Sequence, residues 1–433
     1  MKRLNGVHLS HRKHTEDHLT ELFPTPKSVQ IPMQMHIGAP CKPLVKIGDY
    51  VTVGQKIGEP LGEFSVPIHS SVSGTVTEIV DFRAPNGSLI PSLVIVSDGE
   101  QAFCPDLAPP EIHSKEDLVA AARESGCVGL GGAGFPTHIK LAAKQPIDTL
   151  VINAAECEPF ITSDCRQIME FPEDIIQGIQ LVMKHLHIKS CRIGIEENKP
   201  AAIKRLADCC RNLEHIEVRV LPALYPQGAE KVIVYHTTGR IVPEGKLTAD
   251  VGVLVLNVST CAFLYQYTQT GIPLTQRRVT VDGDAVGRPC NLMVHIGTSI
   301  RDILSYAQYD PDQVKQLMLG GPMMGVSLPS PDMPLCKQHN AVLAFTKTKQ
   351  IIPTACIRCG KCMDACPMNL MPMELERAYR AKDSGALEEY RLHLCISCGC
   401  CSFVCPAKRP LTESMLLAKN FLLDSAKKGE SKE

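Results

Sequence analysis

Cys356-Ile-Arg-Cys359-Gly-Lys-Cys362-Met-Asp-Ala-Cys366-Pro367 is repeated further along the chain as Cys395-Ile-Ser-Cys398-Gly-Cys-Cys401-Ser-Phe-Val-Cys405-Pro406. Three thiolates spaced this way in a tight turn point at three corners of one iron–sulfur cube. The fourth cysteine, followed by proline, leaves the loop and ligates the other cluster. The repeat therefore predicts two [4Fe-4S] clusters. One is held by Cys356, Cys359, Cys362 and Cys405, the other by Cys395, Cys398, Cys401 and Cys366. Zinc also takes four thiolates at Cys-x2-Cys spacing, but the third cysteine of each run and the Cys-Pro ending argue against it. Cys400 aligns with Lys361 of the first copy and reads as a spare thiol. Between the runs, Leu375, Ala378, Tyr379, Leu387, Tyr390 and Leu394 recur at helical spacing among charges, so this end of the chain is expected to be helical.

Upstream, Gly129-Leu-Gly131-Gly132-Ala-Gly134-Phe135-Pro136-Thr137-His-Ile-Lys140 is the second dense signal. Successive glycines let backbone N–H groups approach a phosphate, a following helix adds its dipole, and Lys140 supplies a full charge. Gly129, Gly131 and Gly134 also satisfy Gly-x-Gly-x-x-Gly, with Glu156 downstream for a ribose. That Rossmann reading needs a strand directly before the loop. Instead, 115–123 reads as a helix, opened by the capping-box-like Ser114-x-x-Asp117. A structural turn with no ligand is a third reading. Asn153-Ala-Ala-Glu156-Cys-Glu158-Pro159 follows the strand candidate Thr149–Asn153. Carboxylates at a strand end accept ribose hydroxyls or face a nicotinamide, although alone they are more often a solvated loop.

The 433 residues have a net charge of −1, so no overall field draws the chain to nucleic acid or anionic lipid. The basic, His-rich stretch 1–15 lacks the apolar core of a signal peptide. Without export the compartment is reducing, and the twenty cysteines are expected to stay out of disulfides. His8, His11, His14 and His18 have no cysteine or carboxylate at ligand offsets and are expected in a solvated segment or a partner contact. The longest uncharged stretch, 251–276, is apolar only over 251–265 and is broken by Asn257, Ser259 and Thr260. A span needs about 20 apolar residues, so a buried strand is expected instead.

Short strands between Gly, Pro and Asp turns predict an all-β module over 32–97. Helix and strand patterns then alternate to about residue 271, with strands at 192–195, 217–221 and 251–257 besides Thr149–Asn153. Alternation of this kind suggests an α/β layer fold. A small α+β unit follows, turning at Asp282-Gly283 and with a helix from Ser299.

Gly131-Gly132-Ala133-Gly134-Phe135-Pro136-Thr137, Asn153-x-x-Glu156-x-Glu158-Pro159 and Asn257-x-x-Thr260 resemble the NADH- and FMN-binding flavoprotein subunit of respiratory complex I. The resemblance implies that Gly129, Gly131, Gly132, Gly134 and Lys140 hold FMN phosphate. It implies that Asn153, Glu156 and Glu158 meet flavin and NADH, with Phe135 stacked on a ring. Tyr225-Pro-Gln-Gly228-Ala-Glu230-Lys231 occupies the place of that family's tyrosine-to-glutamate loop, and Asn257 and Thr260 complete the cofactor site. The chain departs from the pattern at Ala155, where the family has an acid, and in having a single Asn257 where it has two.

Over nearly all its length the chain is similar to the RnfC component of the Rnf electron transport complex, on His36-Ile-Gly-Ala-Pro40, the glycine-punctuated run 48–58 and His69-x-x-Val72-Ser73-Gly74. This implies a multidomain α/β and α+β fold: a β barrel-sandwich (biotinyl/lipoyl-like) domain over 1–105 and an α/β FMN/NADH-binding core over 106–276. A β-grasp (SLBB-like) unit over 277–335 and a helical two-cluster ferredoxin module over 336–433 complete it. No lysine falls in 59–73, where a lipoyl carrier would need one. The implied function is electron exchange between NAD(H) and ferredoxin through FMN and two [4Fe-4S] clusters, coupled by other subunits to ion transport. Partners would be those subunits, including a ferredoxin-like iron–sulfur subunit, at the cytoplasmic face of the cell membrane. Two other classes stay open: a flavin-dependent cobalamin reductase of a microcompartment, and a non-enzymatic iron–sulfur relay.

Overall fold

The computed structural model describes residues 4–84, 87–348 and 351–430; Met1 to Arg3 of the basic N-terminal stretch lie outside it. The N-terminal region pairs strands in the order Ser28–Pro32, Leu89–Ser97, Gly74–Arg83 and Tyr50–Val51, facing a three-stranded sheet of Lys42–Pro43, Lys56–Glu59 and Ile68–His69. Residues alternating along these short strands send Val29, Ile31, Ile57, Ile68, Leu93 and Ile95 into one core. The expected turns are there, with Asp49 N donating to Lys46 O and Gln55 N to Thr52 O.

The helix Lys115–Glu124 begins as its sequence predicts. Ser114 accepts from Asp117 N, and the Asp117 carboxylate returns a bond to Ser114 N, a full capping box; such a cap contributes about 1 kcal/mol. Four parallel strands follow, in the order Ile216–Leu221, Ser190–Glu196, Thr149–Asn153 and Val253–Asn257. Their side chains alternate between two cores, Leu150, Ile152, Leu254 and Leu256 on one face and Val151, Val253 and Val255 on the other. Burial on both faces explains why these strands read as continuous apolar runs. The uncharged stretch 251–276 is strand only over Val253–Asn257, and then becomes the helix Val258–Thr270. Asn257 makes the switch, because its side-chain oxygen caps the N–H groups of Ser259 and Thr260.

A six-stranded sheet is ordered Thr20–Leu22, Cys290–His295, Gln276–Asp282, Ala341–Phe345, Gln316–Leu319 and Val326–Leu328, with the helix Ile300–Tyr306 packed on it. It therefore draws one strand from before and one from after the expected 277–335. The C-terminal helices Pro372–Ala381, Ser384–Glu389 and Leu411–Glu430 bury Leu375, Ala378, Leu387, Met415 and Ala418 between them. Glu376, almost fully buried, takes a two-pronged ion pair from Arg409, which also donates to Thr354 O. No helix among the described residues is long and apolar enough to cross a membrane.

His8, His14 and His18 are exposed, as a solvated segment would have them, and His11 is half-buried, but the segment that carries them is bonded to the rest of the chain. Val7 and Tyr225 exchange backbone hydrogen bonds, and Phe160 N donates to His11 O. His14 pairs with Asp282 at 3.0 Å, and His18 bonds Pro289 O. The segment is an internal strap across the α/β core and the six-stranded sheet. Sequence periodicity misses it because its contacts are single side chains without a repeat.

Candidate functional site

The strand order decides where a site can form. Chain connections leave Thr149–Asn153 toward one side of the sheet, and the chain returns on the other side as Val253–Asn257. Between such strands the carboxyl ends open into a crevice. A cleft of about 1100 Å³ lies there, lined by Gly129, Gly131, Gly132, Gly134, Phe135, Lys140, Asn153, Glu156, Glu158, Tyr225, Gly228, Glu230, Asn257 and Thr260. Every non-cysteine residue expected in the site thus reaches one cavity.

The glycine loop is fastened at its base and free at its tip. Gly129 N donates to Phe135 O, Leu130 N to Thr260 Oγ1, and Gly134 N to Gly129 O. Gly131, Gly132 and Ala133 are exposed, and Gly132 has φ of 110°, a conformation open to glycine and strained for other residues. Opposite, a Cβ on Gly228 would stand 2.6 Å from Ala155 O, so only glycine fits there. Asn153 fixes that approach by donating from Nδ2 to Gly228 O at 2.8 Å. Lys140 Nζ donates to Glu230 Oε2 at 3.1 Å and to Val255 O at 3.2 Å, a half-exposed cation within reach of the loop tip. Exposed loop amides beside a cation suit a phosphate, and the cavity volume suits a flavin with a nicotinamide. The residues present therefore fit FMN.

The acidic neighbours behave less simply than the motif suggests. Glu156 accepts from Asp164 N at 2.8 Å and caps the helix Ser163–Glu170. Burial pushes its carboxyl up to about 7 against the pull of Lys13, whose Nζ is 3.9 Å away. Glu158, expected to meet the nicotinamide, spends both oxygens on Met323 N and Met324 N, at 3.0 and 2.8 Å. It thereby anchors the loop 320–325 while still lining the cleft. Met324 is 55% exposed on that loop. Tyr225 is buried, and its hydroxyl donates to Cys398 O at 2.7 Å, tying the cleft wall to a cysteine loop. Phe135 packs edge-on to Phe64 and is half-buried.

Three walls were not foreseen. Gln34 and His36 come from the barrel-sandwich region, Gly320, Gly321 and Gly325 from the six-stranded sheet's loop, and Gln338 and His339 from the segment before Ala341–Phe345. Gln338 Oε1 is buried without a partner and packs against Gly134. The doublet Gly320-Gly321 after an apolar strand was a readable signal. The other two walls are brought in by tertiary packing alone.

The two cysteine runs fold alike. Arg358 and Ser397, Gly360 and Gly399, and Asn369 and Lys408 occupy matching places in the repeat, and all have positive φ, bending each loop around its thiols. Cys366, Cys395, Cys398 and Cys401 line one small pocket, with Cys400 also at its wall. Burial raises the Cys362 thiol, with Cys356 and Cys405 close enough to add to the effect. The fourth cysteine of each run thus faces the other run's thiols. Cys400 is buried, its sulfur 3.9 Å from Tyr225 O, and its closeness to Cys398 draws that thiol down, toward the thiolate that a cluster needs. N–H groups of Arg358, Leu370 and Ser397 reach Cys356, Cys366 and Cys395 sulfurs, each at 3.4 Å. The residues fit two [4Fe-4S] clusters. Cys356 and Cys359 are exposed, while Ile396 of the other loop lines the cleft.

Comparison with known proteins gives three family matches: an RnfC barrel sandwich hybrid domain over 2–100, a Nuo51 FMN-binding domain over 122–266, and a 4Fe-4S dicluster domain over 355–408. The chain is 39% identical to the C subunit of the Na(+)-translocating ferredoxin:NAD(+) oxidoreductase complex of Acetobacterium woodii, covering 98% of each chain. It is 38% identical to the proton-translocating counterpart of Clostridium ljungdahlii, over 89% of this chain and 86% of that one. To the C subunit of the ion-translocating oxidoreductase complex of Rhodobacter capsulatus it is 38% identical, over 96% and 82%.

Proposed function

Because the chain belongs to the RnfC family, the C subunits of ion-translocating ferredoxin:NAD(+) oxidoreductase complexes, we propose that its cleft is where that activity meets NAD(H). The protein is an oxidoreductase subunit that carries FMN and two [4Fe-4S] clusters and relays electrons between NAD(H) and ferredoxin. FMN, when bound, exchanges a hydride with NADH and single electrons with iron–sulfur centres.

The chain's own residues orient that chemistry. The tip amides of Gly131, Gly132 and Ala133 with Lys140 would hold the phosphate, and the Asn153–Gly228 contact would shape the wall for the ring system. Glu156 would meet the nicotinamide ribose, and Phe135 would offer a face to a ring. Glu158 and Tyr225 act one step back, fixing the loops on either side. The observation that carries this reading is Ile396: the Cys395–Cys398 loop forms part of the cleft wall. The Cys356–Cys359 loop lies outward, with Ile352, Ile357, Arg358 and Lys361 exposed around it, a surface suited to an acidic, ferredoxin-like iron–sulfur subunit. The parallel central pair of the six-stranded sheet, Gln276–Asp282 with Ala341–Phe345, and its packed helix suit a β-grasp, SLBB-like unit. With a barrel-sandwich region before and a helical ferredoxin module after it, the chain docks peripherally at the cytoplasmic membrane face, and other subunits couple the flow to ion transport.

The test is anaerobic purification with flavin and iron counted on one sample, followed by Lys140→Ala. Removing a charge-assisted phosphate contact costs roughly 1.5–3 kcal/mol, or about 10- to 100-fold in FMN affinity. Iron content should not change. Flavin occupancy equal to wild type after dilution of Lys140→Ala would remove the phosphate role from this loop.

A further inference from the structure

Lys13 lies on the N-terminal strap, far in sequence from the cleft, yet its side chain is only 8% exposed and ends beneath the acidic loop. Its ammonium donates to Glu156 O at 2.9 Å, to Glu158 O at 2.8 Å, and to Ile161 O. Three carbonyls from six consecutive residues therefore turn inward onto one cation. The loop cannot hold that shape on its own. Phe160 within it has φ of 70°, strained for a bulky side chain. Without Lys13 the carbonyls of Glu158 and Ile161 would each lose this hydrogen bond, and Glu156 O would keep only the longer one from Lys199 at 3.4 Å.

Holding the strap in place does not require this lysine. Val7, Thr15, Thr20 and the carbonyl of Glu16 are separately bonded to Tyr225, Thr162, Glu170 and Arg166. A buried charge is a costly way to add one more anchor, since apolar residues of similar size often serve stability as well. What Lys13 adds is position and charge at the cleft. Glu156 faces Lys13 from the strap, Asp164 and Cys165 from the helix Ser163–Glu170, and Lys199 from just past Ser190–Glu196, while Glu196 faces Lys13 itself. Arg278 reaches Glu156 from Gln276–Asp282. Lys199 Nζ is paired to Glu196 at 2.5 Å and gives the loop one longer bond, to Glu156 O at 3.4 Å, so Lys13 is the cation that gathers three of its carbonyls.

We infer that Lys13 is a positioning residue for hydride exchange: its ammonium moulds the loop 156–161 and sets the place of Glu156 at the cleft wall, so the strap is a working part of the NAD(H) site. The inference rests on the cleft being that site. Lys13→Met in the full chain, purified with flavin, should keep FMN and both clusters. It should lose on the order of 100-fold in kcat/KM for NADH with ferricyanide, the scale of a small misplacement of reacting groups. Lys13 favours ionised Glu156, so without it the acid limb of the pH profile should move upward by at least about 1 pH unit. Lys13→Arg should bring the limb back. A readout without turnover is the carboxyl band in infrared difference spectra, assigned by its disappearance in Glu156→Gln; its pH midpoint should rise in Lys13→Met.

Unchanged kcat/KM and an unchanged midpoint in Lys13→Met would overturn the inference. If Lys13→Met does not fold, the wild type and Glu156→Gln decide: an acid limb that survives in Glu156→Gln overturns it, and one that vanishes supports it. Wild-type flavin that dithionite reduces and NADH does not would overturn the cleft reading first, and this inference with it.

Discussion

Cys359→Ser is expected to abolish electron exchange with ferredoxin while NADH-to-ferricyanide activity stays largely intact. Cys359 is exposed on the outward loop, whereas the glycine loop, Lys140 and Glu156 lie in the cleft at the sheet's carboxyl ends. A small oxidant reaches the cleft directly, but a protein partner must collect electrons near the surface. The measurement pairs the two assays on one anaerobic preparation whose flavin spectrum matches wild type. Full ferredoxin activity in a Cys359→Ser protein shown to lack that cluster would mean that electrons do not leave by the outward loop.

The second large effect concerns which cluster a cysteine serves. Cys366 belongs by sequence to the first run, but it lines the pocket of Cys395, Cys398 and Cys401. Cys366→Ser should therefore damage the cluster beside the cleft and spare the outward one, taking iron from about eight atoms per chain toward about four. Cys400→Ser is the control. Its thiol turns to Tyr225 O, so iron should remain at about eight atoms, while the pull on Cys398 is lost. Iron analysis and the spin-resonance signals of the dithionite-reduced proteins distinguish the cases. A Cys366→Ser spectrum missing the same signal as Cys359→Ser would reverse the ligand assignment.

Much of this was readable from residues in order along the chain. The doubled cysteine run carries its own geometry, because the spacing itself bends the loop. The strand at Thr149–Asn153, the helix opened by Ser114 and the turn at Lys46–Asp49 follow from local chemistry that tertiary packing did not override. The strand and helix within 251–276 merge in sequence because both are apolar, and only the capping oxygen of Asn257 separates them. Contacts between single side chains from distant segments left no pattern to read. Lys13 under the acidic loop, Tyr225 on Cys398, and Gln34 and Gln338 in the cleft wall are all of this kind. Glu158 shows the converse: the motif put it at the site, while its partners Met323 and Met324 lie far along the chain and make it a loop anchor.

The six-stranded sheet has a consequence for how the nascent chain acquires its shape. Thr20–Leu22 leaves the ribosome early, but its partner Cys290–His295 and the central strand Ala341–Phe345 are translated long afterwards. Pairing across such separations is slow, because the intervening chain must be closed into a loop first. Until then Thr20–Leu22 at the end of the strap has no sheet to join, although the strap's bonds to residues 156–225 can already form. The barrel-sandwich and parallel-sheet regions can gather their own cores during synthesis, but the cleft they share is completed only after Ile396 has emerged. A fragment ending before that point would hold the glycine loop without all the walls that face it.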